Sequence, residues 1–524
     1  MRLRQISATA LLLSFVAPIL AADPAVRGKA EHVVVVVWDG MRPDFVTPEN
    51  TPTLAALARS GVFFKNHHPA YPSSTNVNGA VLATGDYPVH NGIISNQEFR
   101  PEVDPLKQFD TADFAALDAP DGTINRNLIV VSTVAEIVQK AGYRTAVAGS
   151  KPVAQLADRA RKRESEIAQK SVVVFRGKVL PRTAETAITA ALGPFPKHEV
   201  FPRSEENAWT TRALTEALWK DDVPKFSLLW LSEPDLTQHE TAPGSPASLA
   251  AIKSDDDNLA KVLAALQAKN ALTTTDIFVV SDHGFSTVDR ALDVAELLRA
   301  ASFDAIRVFT GAPKPGQIMV VSLGGSVEFY VIGHDAKLTQ KLVDFLQHSD
   351  FAGVILTREK HEGTFTLAQV HLESATAPDV IVSCRWSDTP NKFGVAGEVP
   401  SDIGKNVGQG THSTFSPHDM NNTLVVSGPD FRTGWSDKLP TGNIDIAPTI
   451  LRILGLEPPV PMDGRVLSEA LRGSLDEPPA RETNLESHCD AGGGVWRQTL
   501  RLTEVGHVTY FLEGNGGRVP KKEP

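Results

Sequence analysis

The chain has 524 residues, of which 42% are hydrophobic and 22% are charged, and its formal net charge is −11. A chain of this length can bury a large core, either as one domain with insertions or as two domains. The acidic balance argues against stable nucleic-acid binding, because proteins that coat nucleic acids carry a basic stripe. It does not exclude a small phosphorylated substrate, since the local field decides binding there.

Residues 1–22 are typical of a signal peptide. Arg2 and Arg4 give a basic start, and an apolar run over residues 8–20 is followed by small residues. A membrane span needs about 20 apolar residues, whereas this run is shorter and contains Pro18. An uncleaved anchor is the alternative, and no later segment has the pattern of a transmembrane helix. We therefore expect cleavage at the end of this segment and export to the periplasm or the exterior.

Strands and helices alternate through the first half of the chain. Residues 32–38 form a continuous apolar run rich in β-branched residues, which predicts a buried parallel strand. Further strands are predicted at 144–148, 226–231 and 276–281, with helices at 52–60, 127–141, 156–170, 205–220 and 247–269. No clear sheet pattern is found between 171 and 203, which is predicted to be an insertion. The alternation predicts an α/β fold with a doubly wound, mostly parallel central sheet and helices on both faces.

The pattern changes after residue 290, where short strands surround a single helix at 337–348. Residues 378–383 are predicted to return to the main sheet, and the Gly- and Pro-rich residues 394–417 are predicted to be a loop. The predicted divisions are a signal peptide (1–22), an α/β core (30–290 and 378–475), a small inserted α+β cap (291–377) and a C-terminal extension with a β-hairpin (476–524). Cys384 and Cys489 allow one disulfide in an oxidising compartment, and they lack zinc-finger spacing.

Three predicted strands end at or near an aspartate. Asp39 follows the first strand, Asp235 follows the strand at 226–231, and Asp282 follows the strand at 276–281. One such ending would be unremarkable, because Asp is a common turn residue. Ligands in open α/β sheets gather at the carboxyl ends of the strands, so three aspartates on one sheet are expected to converge.

Histidines accompany these aspartates. Asp235 and His239 are one helical turn apart and can face one metal ion, although solvated helix faces also carry such pairs. His283 directly follows the third aspartate and emerges at the same sheet edge, unless it caps a turn. His412 lies in a Gly-containing loop and is a further candidate ligand, with His418 as a near rival.

Together these side chains offer six oxygen or imidazole donors and no thiolate. They are Asp39, Asp235, His239, Asp282, His283 and His412. Hard oxygen with imidazole suits Zn²⁺ and does not exclude Mn²⁺ or Fe. Six donors exceed one tetrahedral site, so two ions sharing the set is the simpler interpretation. Two metal ions about 4 Å apart clamp the attacking and leaving oxygens of an in-line displacement at phosphorus.

Thr75 is the candidate nucleophile. It follows a turn at Pro72 and precedes a predicted helix over residues 76–82, and helix N-termini favour anions and bind phosphates. The alternative is that Thr75 is only an N-cap. Lys151, at a strand end, is a candidate for binding an extra carboxylate or phosphate oxygen, and a solvated loop lysine is the favoured interpretation.

The ordered motifs resemble the alkaline phosphatase superfamily and, within it, the nucleotide pyrophosphatase/phosphodiesterase family. The matching segments run from about residue 32 to 471 and are Asp39-Gly-Met-Arg-Pro-Asp44, Pro72-Ser-Ser-Thr75 with Asn78, Thr84-Gly-Asp-Tyr-Pro88, His90-Asn-Gly-Ile-Ile-Ser-Asn96, Glu233 to His239, Ser281-Asp-His-Gly284, Asp445-Ile-Ala-Pro-Thr449 and Met462-Asp-Gly464. The Cys/Ser-x-Pro-x-Arg pattern of formylglycine sulfatases is absent from the motif.

The resemblance implies a set of roles. One zinc ion would be held by Asp235, His239 and His412, and a second by Asp39, Thr75, Asp282 and His283. Thr75 would form a covalent phosphoryl-threonine, and Asn96 would donate to a non-bridging phosphoryl oxygen. The chain departs from the family where Ser413 follows His412 instead of Gly, and where Asn-Val-Asn-Gly follows Thr75 instead of an aromatic residue and Pro-Asn-His.

The predicted function is that of a periplasmic or secreted two-metal hydrolase of phosphate diesters or pyrophosphates, whose substrate is a small-molecule phosphate ester. A phosphonate or phosphomonoester hydrolase of the same superfamily is the second enzyme hypothesis. A binding protein for phosphorylated ligands is the non-enzyme hypothesis. The complete donor set favours an enzyme, because a binder has no use for a hydroxyl placed beside two metal sites.

Overall fold

The computed structural model describes residues 27–113, 128–159, 163, 165–197, 200–475 and 478–520. The predicted signal peptide, residues 1–22, lies outside this part of the chain. Among the helices that are described, none combines the length and the hydrophobicity that crossing a membrane requires.

A nine-stranded sheet forms the centre of the molecule. From edge to edge its strands are Trp435–Asp437, Val62–Phe64, Leu424–Ser427, Thr275–Val280, His32–Trp38, Phe226–Leu231, Thr145–Gly149, Val172–Phe175 and Lys178–Leu180. The five strands from Thr275–Val280 to Val172–Phe175 are parallel, and Leu424–Ser427 and Lys178–Leu180 run antiparallel to them. The prediction of a mostly parallel central sheet is confirmed.

The strand His32–Trp38 shows why both faces of this sheet are covered. Successive side chains of a strand point to opposite faces, and here Val33, Val35 and Val37 enter one core cluster while Val34 and Val36 enter the other. A run of valines satisfies two apolar faces at once, so the strand is buried on both sides.

Helices in the connections between the strands pack on both faces of this sheet. The α-helices of this region are Pro52–Ser60, Thr75–Thr84, Pro88–Asn91, Val134–Lys140, Glu166–Lys170, Glu185–Leu192, Ser204–Arg212, Asp235–Thr241, Pro246–Ala268 and Ile446–Leu454, and a π-helical segment, Ala213–Leu218, continues the seventh. Short 3₁₀ segments are Pro43–Phe45, Pro152–Ala157, Arg182–Ala184, Leu272–Thr274, Asn443–Asp445 and Ser468–Ala470.

The helix predicted over residues 156–170 is wrong in its extent. Among the residues of this range that the structure describes, only Glu166–Lys170 is α-helical, and its N-cap is Ser165, whose hydroxyl accepts from the Ala168 N–H. Upstream, the buried Arg163 guanidinium is paired with Asp158 at 3.0 Å.

A second sheet has six strands and carries its own core. Its strands, in spatial order, are Asp304–Ile306, Gln317–Ser322, Ser326–Val331, Val380–Cys384, Ala352–Thr357 and Phe365–Thr366, and the helices Val294–Ala300 and Ala336–His348 pack against it. The expectation that residues 378–383 return to the main sheet is wrong, because Val380–Cys384 pairs with Ser326–Val331 and Ala352–Thr357 here. Cys384 and Cys489 are both buried free thiols, so no disulfide joins them.

Smaller sheets complete the molecule. A four-stranded sheet contains Ser387–Pro390, Ala396–Asp402, Ser286–Leu292 and Gly410–Thr411, and the C-terminal sheet contains Ala480–Asp490, Gly494–Val505 and Val508–Pro520. Two short pairs are His67–His68 with Thr441–Gly442 and Gln97–Glu98 with Phe109–Asp110. The expected loop at 394–417 therefore contains two strands, Ala396–Asp402 and Gly410–Thr411, and the hairpin expected near the C-terminus is extended by a third strand.

Candidate active site

Four neighbouring strands of the central sheet deliver charged side chains to one point. Asp282 follows Thr275–Val280, Asp39 follows His32–Trp38, Asp235 follows Phe226–Leu231 and Lys151 follows Thr145–Gly149. The strands are adjacent and parallel, so their carboxyl ends lie side by side. The three aspartates are at most 1% exposed.

Three histidines approach these aspartates through their Nε2 atoms. Asp235 Oδ1 lies 3.3 Å from His239 Nε2 and 3.6 Å from His412 Nε2. His283 Nε2 lies 3.8 Å from Asp39 Oδ1 and 3.9 Å from Asp235 Oδ1. These atoms form two groups of potential metal ligands. The first contains Asp235, His239 and His412, and the second contains Asp39, Asp235 and His283, so Asp235 belongs to both.

Backbone carbonyls orient the imidazoles. The Nδ1 atoms of His239, His283 and His412 lie 3.0, 2.8 and 2.9 Å from the carbonyl oxygens of Gly410, Gly284 and Ser73. A carbonyl can only accept, so each Nδ1 carries a proton, and in the neutral imidazole Nε2 is then the nitrogen that holds the lone pair. Second-shell partners of this kind fix the tautomer of metal-binding histidines.

Three carboxylate oxygens in this centre accept no hydrogen bond from the described residues: Asp39 Oδ1, Asp235 Oδ1 and Asp282 Oδ2. Lys151 Nζ comes within 3.0 Å of the first, without hydrogen-bond geometry. Leaving a buried charged acceptor unpaired is costly. A divalent cation would satisfy these oxygens together with the imidazole lone pairs, so the residues present fit a metal centre.

The electrostatics differ between the carboxylates. Burial, with the nearby charge of Asp282, raises the pKa of Asp39 well above its usual range. Burial acts in the same direction on Asp235, but Lys151 and His239 outweigh it and hold the pKa of Asp235 well below its usual range. Burial also depresses the pKa of His412, which stays neutral and able to bind a cation. Asp235 is therefore the anion around which the centre is built.

Thr75 begins the buried helix Thr75–Thr84 and points into the same centre. Its Oγ1 lies 3.2 Å from His283 Nε2. The interpretation of Thr75 as an N-cap is wrong, because Ser74 occupies that position. Asn78 fixes the preceding turn, since its Oδ1 accepts from the Ala70 N–H at 2.8 Å and its Nδ2 donates to the Ala70 carbonyl at 3.1 Å.

Asn96 lies beside the start of this helix. Its Oδ1 accepts from the Asn76 N–H at 2.7 Å, which leaves its Nδ2 available as a donor, and Asn96 and Thr75 line one cavity. This cavity has a volume of 430 Å³ and is called the reaction cavity below. Residues 322–324 of the second sheet and the loop residues 403–405 form the wall that faces the helix.

A family model described as type I phosphodiesterase / nucleotide pyrophosphatase matches residues 33–386. The chain belongs to this family. Human ectonucleotide pyrophosphatase/phosphodiesterase family member 7 is 22% identical over 298 residues, which are 56% of this chain and 57% of the relative. A venom phosphodiesterase of Crotalus durissus collilineatus is 23% identical over 263 residues, 49% of this chain and 26% of the relative. The chain thus spans little more than half the length of the human relative.

Solved structures of the family share the fold. An inactive form of murine ectonucleotide pyrophosphatase/phosphodiesterase 5 in complex with AMP superimposes with a TM-score of 0.60 at 16% identity, over 84% of this chain and 100% of that chain. The human protein of the same name gives a TM-score of 0.59 at 16% identity with the same coverage. The predicted fold class is confirmed by this likeness.

In this member of the type I phosphodiesterase family, the six predicted metal donors, Thr75 and Asn96 all lie in or beside the centre. His418 does not, because its Nε2 lies 3.0 Å from Asp388 Oδ1 and its Nδ1 is 3.4 Å from Arg42. The family is metal-dependent, and the two groups that share Asp235 are this chain's candidate ligands. The position of His412 beside Asp235 makes it the histidine of the loop that is available to them.

The interpretation of Lys151 as a solvated lysine is wrong, since its ammonium is 2.5 Å from Asp235 Oδ2 and its side chain is only 15% exposed. Two other contributors were not predicted. Trp230 donates from Nε1 to Asp39 Oδ2 at 2.8 Å, and Asp110 lines the reaction cavity. The position of Lys151 at a strand end, level with the aspartates, is the signal that made it a candidate for binding a carboxylate oxygen, and its contact with Asp235 agrees with that alternative.

Proposed function

We propose that this chain hydrolyses phosphate diesters or pyrophosphates with Thr75 as the nucleophile and with two divalent metal ions, for which zinc is the first candidate. One observation carries the proposal: Thr75 Oγ1 lies 3.2 Å from His283 Nε2, beside two groups of ligand atoms that share Asp235. Membership of the type I phosphodiesterase family supports the reaction class.

The proposed ligands of one ion are Asp235, His239 and His412, and those of the other are Asp39, Thr75, Asp282 and His283. The three unpaired carboxylate oxygens support this assignment. When bound, such ions lower the pKa of the nucleophilic hydroxyl and neutralise phosphoryl oxygens. Mn²⁺ or Fe would suit the same donors.

The reaction has two steps. The Thr75 hydroxyl gives up its proton as Oγ attacks phosphorus and forms an O–P bond, while the bond from phosphorus to the leaving oxygen breaks and that oxygen takes up a proton. Asn96 Nδ2 and the N–H of Thr75 donate to the non-bridging oxygens, which carry more charge in the transition state than in the substrate. A water molecule then hydrolyses the phosphoryl-threonine and restores the hydroxyl.

A phosphomonoester or phosphonate hydrolase is the second candidate. Lys151 favours it, because an ammonium in the wall of the reaction cavity can pair with one further anionic oxygen of a dianionic group. The non-enzyme candidate is a binder of phosphorylated ligands, and turnover of any phosphate ester would exclude it.

We also propose that the chain is exported. The relatives include a protein named as a venom enzyme and proteins named as ectoenzymes, and residues 1–22 have the pattern of a signal peptide. N-terminal sequencing of the protein from its native source tests this, and a mature chain that starts at Met1 would contradict it.

A panel of 4-nitrophenyl esters tests the function itself. The purified, zinc-loaded chain is expected to hydrolyse bis(4-nitrophenyl) phosphate faster than the monoester or a phosphonate ester. Thr75→Ala is expected to lower turnover about 10³-fold or more, and acid quenching of the wild type should trap a 4-nitrophenylphosphoryl group on the peptide that contains Thr75. Near-normal turnover by Thr75→Ala would exclude the covalent mechanism, while a preference for monoesters would change only the substrate class.

A further inference from the structure

A second cavity, of 470 Å³, adjoins the reaction cavity. The two share the wall residues Asp110, Ala112 and Pro152, so a molecule that fills the first can extend into the second. The other walls of the second cavity carry cations and aromatic rings, namely Phe175, Arg176, Lys178, Phe195 and Lys197. None of the proposed metal ligands lines it.

The position of Arg176 is fixed relative to the reaction centre. It lies in the tight turn between Val172–Phe175 and Lys178–Leu180, and its N–H donates to the Gly149 carbonyl at 3.0 Å, two residues before Lys151. Its φ is +43°, in the left-handed region that residues with a β-carbon rarely adopt. Gly177 also has a positive φ, of +76°, and a two-residue turn of this kind matches the twist of the strands that it joins, so the hairpin holds Arg176 at the rim of the second cavity.

Lys197 is brought to the same turn by the segment before it. A β-carbon on Gly177, whose φ is +76°, would lie 2.6 Å from Phe195 Cβ, so the glycine permits this close packing. Phe195 also packs edge-on against Trp209 with the ring centroids 5.3 Å apart. The hairpin turn and the segment with Lys197 therefore form two sides of one cavity.

The cavity is positively charged. Its three cations face two carboxylates, Asp110 and Asp113. Asp110 is already engaged, because its Oδ1 accepts from Asn76 Nδ2 at 2.9 Å and from the Ala112 N–H at 2.8 Å. The side chains of Arg176 and Lys197 are exposed and make no hydrogen bond or ion pair with the residues that the structure describes.

We propose that this cavity binds a second anionic group of the substrate, a carboxylate or a phosphate, on a small aromatic or apolar body that lies against Phe175 and Phe195. Arginine forms paired, charge-assisted hydrogen bonds with such groups. The assignment rests on the proposed function and narrows it, since it makes the substrate an ester with an anion beyond the scissile phosphoryl group.

Two diesters that differ by one carboxylate test the proposal: 4-nitrophenyl phenyl phosphate and 4-nitrophenyl 4-carboxyphenyl phosphate. The wild type is expected to prefer the carboxylated diester by about tenfold or more in kcat/KM, mainly through KM. The double variant Arg176→Gln/Lys197→Gln should bring this ratio close to one. Lys314→Gln, which removes an exposed charge elsewhere, should leave it unchanged. A 4-phosphonophenyl analogue distinguishes a phosphate-like from a carboxylate ligand.

A wild type without preference, or a double variant with the full preference, would overturn the proposal. Calorimetric titration with phenylphosphonate and 4-carboxyphenylphosphonate measures binding to the cavity without turnover. It therefore tests the subsite even if neither diester is hydrolysed and the proposed function fails. Tighter binding of the carboxylated compound that the double variant loses supports the subsite, and equal binding of the two compounds overturns it.

Discussion

The ammonium of Lys151 lies 2.5 Å from Oδ2 of Asp235 at the ends of neighbouring parallel strands, where Asp235 is buried and Lys151 is half-buried. The same ammonium is 3.0 Å from Asp39 Oδ1. It therefore compensates the charge of two carboxylates that we propose as metal ligands, and it competes with cations for their oxygens.

Lys151→Met should separate these two effects. We expect the metal-free variant to be less stable than the wild type by about 3 kcal/mol, because removing one partner leaves buried charge uncompensated. We expect zinc to raise its melting temperature more than it raises that of the wild type, since at a given zinc concentration a more tightly bound ion stabilises the folded state more. Thermal unfolding with and without zinc measures both quantities.

Lys405→Met is the matched control for this prediction. Lys405 also lines the reaction cavity, but it pairs with Glu240 at 3.6 Å and contacts none of the aspartates. Its substitution should change neither quantity appreciably, since exposed pairs contribute little. Equal behaviour of the two variants would show that Lys151 does not compete with the metal.

The strand ends explain why much of this site can be predicted from sequence. An apolar run followed by an aspartate predicts a strand and also the sheet edge at which the aspartate side chain emerges. Asp39, Asp235 and Asp282 are therefore expected to lie together. Lys151 follows the same rule, but a long flexible side chain reaches solvent or the site equally well. Its contact depends on tertiary packing, which the local pattern does not contain.

The errors in the fold have similar causes. Val380–Cys384 is as apolar as a strand of the central sheet, and both sheets bury their strands, so composition does not tell which sheet it joins. Val172–Phe175 was missed because four residues give too short a pattern. Among the described residues, the helix expected over residues 156–170 is found only at Glu166–Lys170, and the buried Asp158–Arg163 pair upstream depends on tertiary packing that the local pattern does not contain.

The two histidines of the loop between the four-stranded sheet and the core give a second prediction. His412→Ala should lower the zinc content of the purified protein by about one equivalent from an expected two, because His412 Nε2 lies 3.6 Å from Asp235 Oδ1. His418→Ala should spare the metal, since His418 is paired with Asp388 instead. Elemental analysis after dialysis measures the zinc content of both variants. Loss of zinc by His418→Ala alone would show that His418 is the ligand instead of His412.

Asn96 gives a third prediction, on transition-state stabilisation. Asn96→Ala should lower kcat/KM about a hundredfold, the usual effect of removing one donor to a developing oxyanion, and less than Thr75→Ala. Asn96→Asp keeps an acceptor for the Asn76 N–H but removes the amide donor. If the donor matters, both variants lose activity while their melting temperatures stay near that of the wild type. Retained activity in Asn96→Asp would instead assign Asn96 the role of holding the helix start.

Asp276 gives the last prediction, which concerns stability and pH. This carboxyl lies in the central strand Thr275–Val280, and burial together with the nearby Asp430 raises its pKa from 3.8 to about 9. The folded protein therefore keeps a proton that the unfolded chain releases above pH 3.8. The stability that depends on this proton is fully present below that pH and is lost as the pH rises toward 9.

Asp276→Asn removes this titration while keeping the shape of the side chain and a donor toward Asp430. The free energy of unfolding of the wild type, relative to the variant, should fall between pH 5 and 9 by at most about 1.4 kcal/mol per pH unit. Urea unfolding at pH 5, 7 and 9 measures this difference, and Asp221→Asn, at an exposed carboxyl, controls for the loss of one surface charge. Wild-type and Asp276→Asn curves that stay parallel over this range would show that Asp276 is ionised in the folded protein at neutral pH.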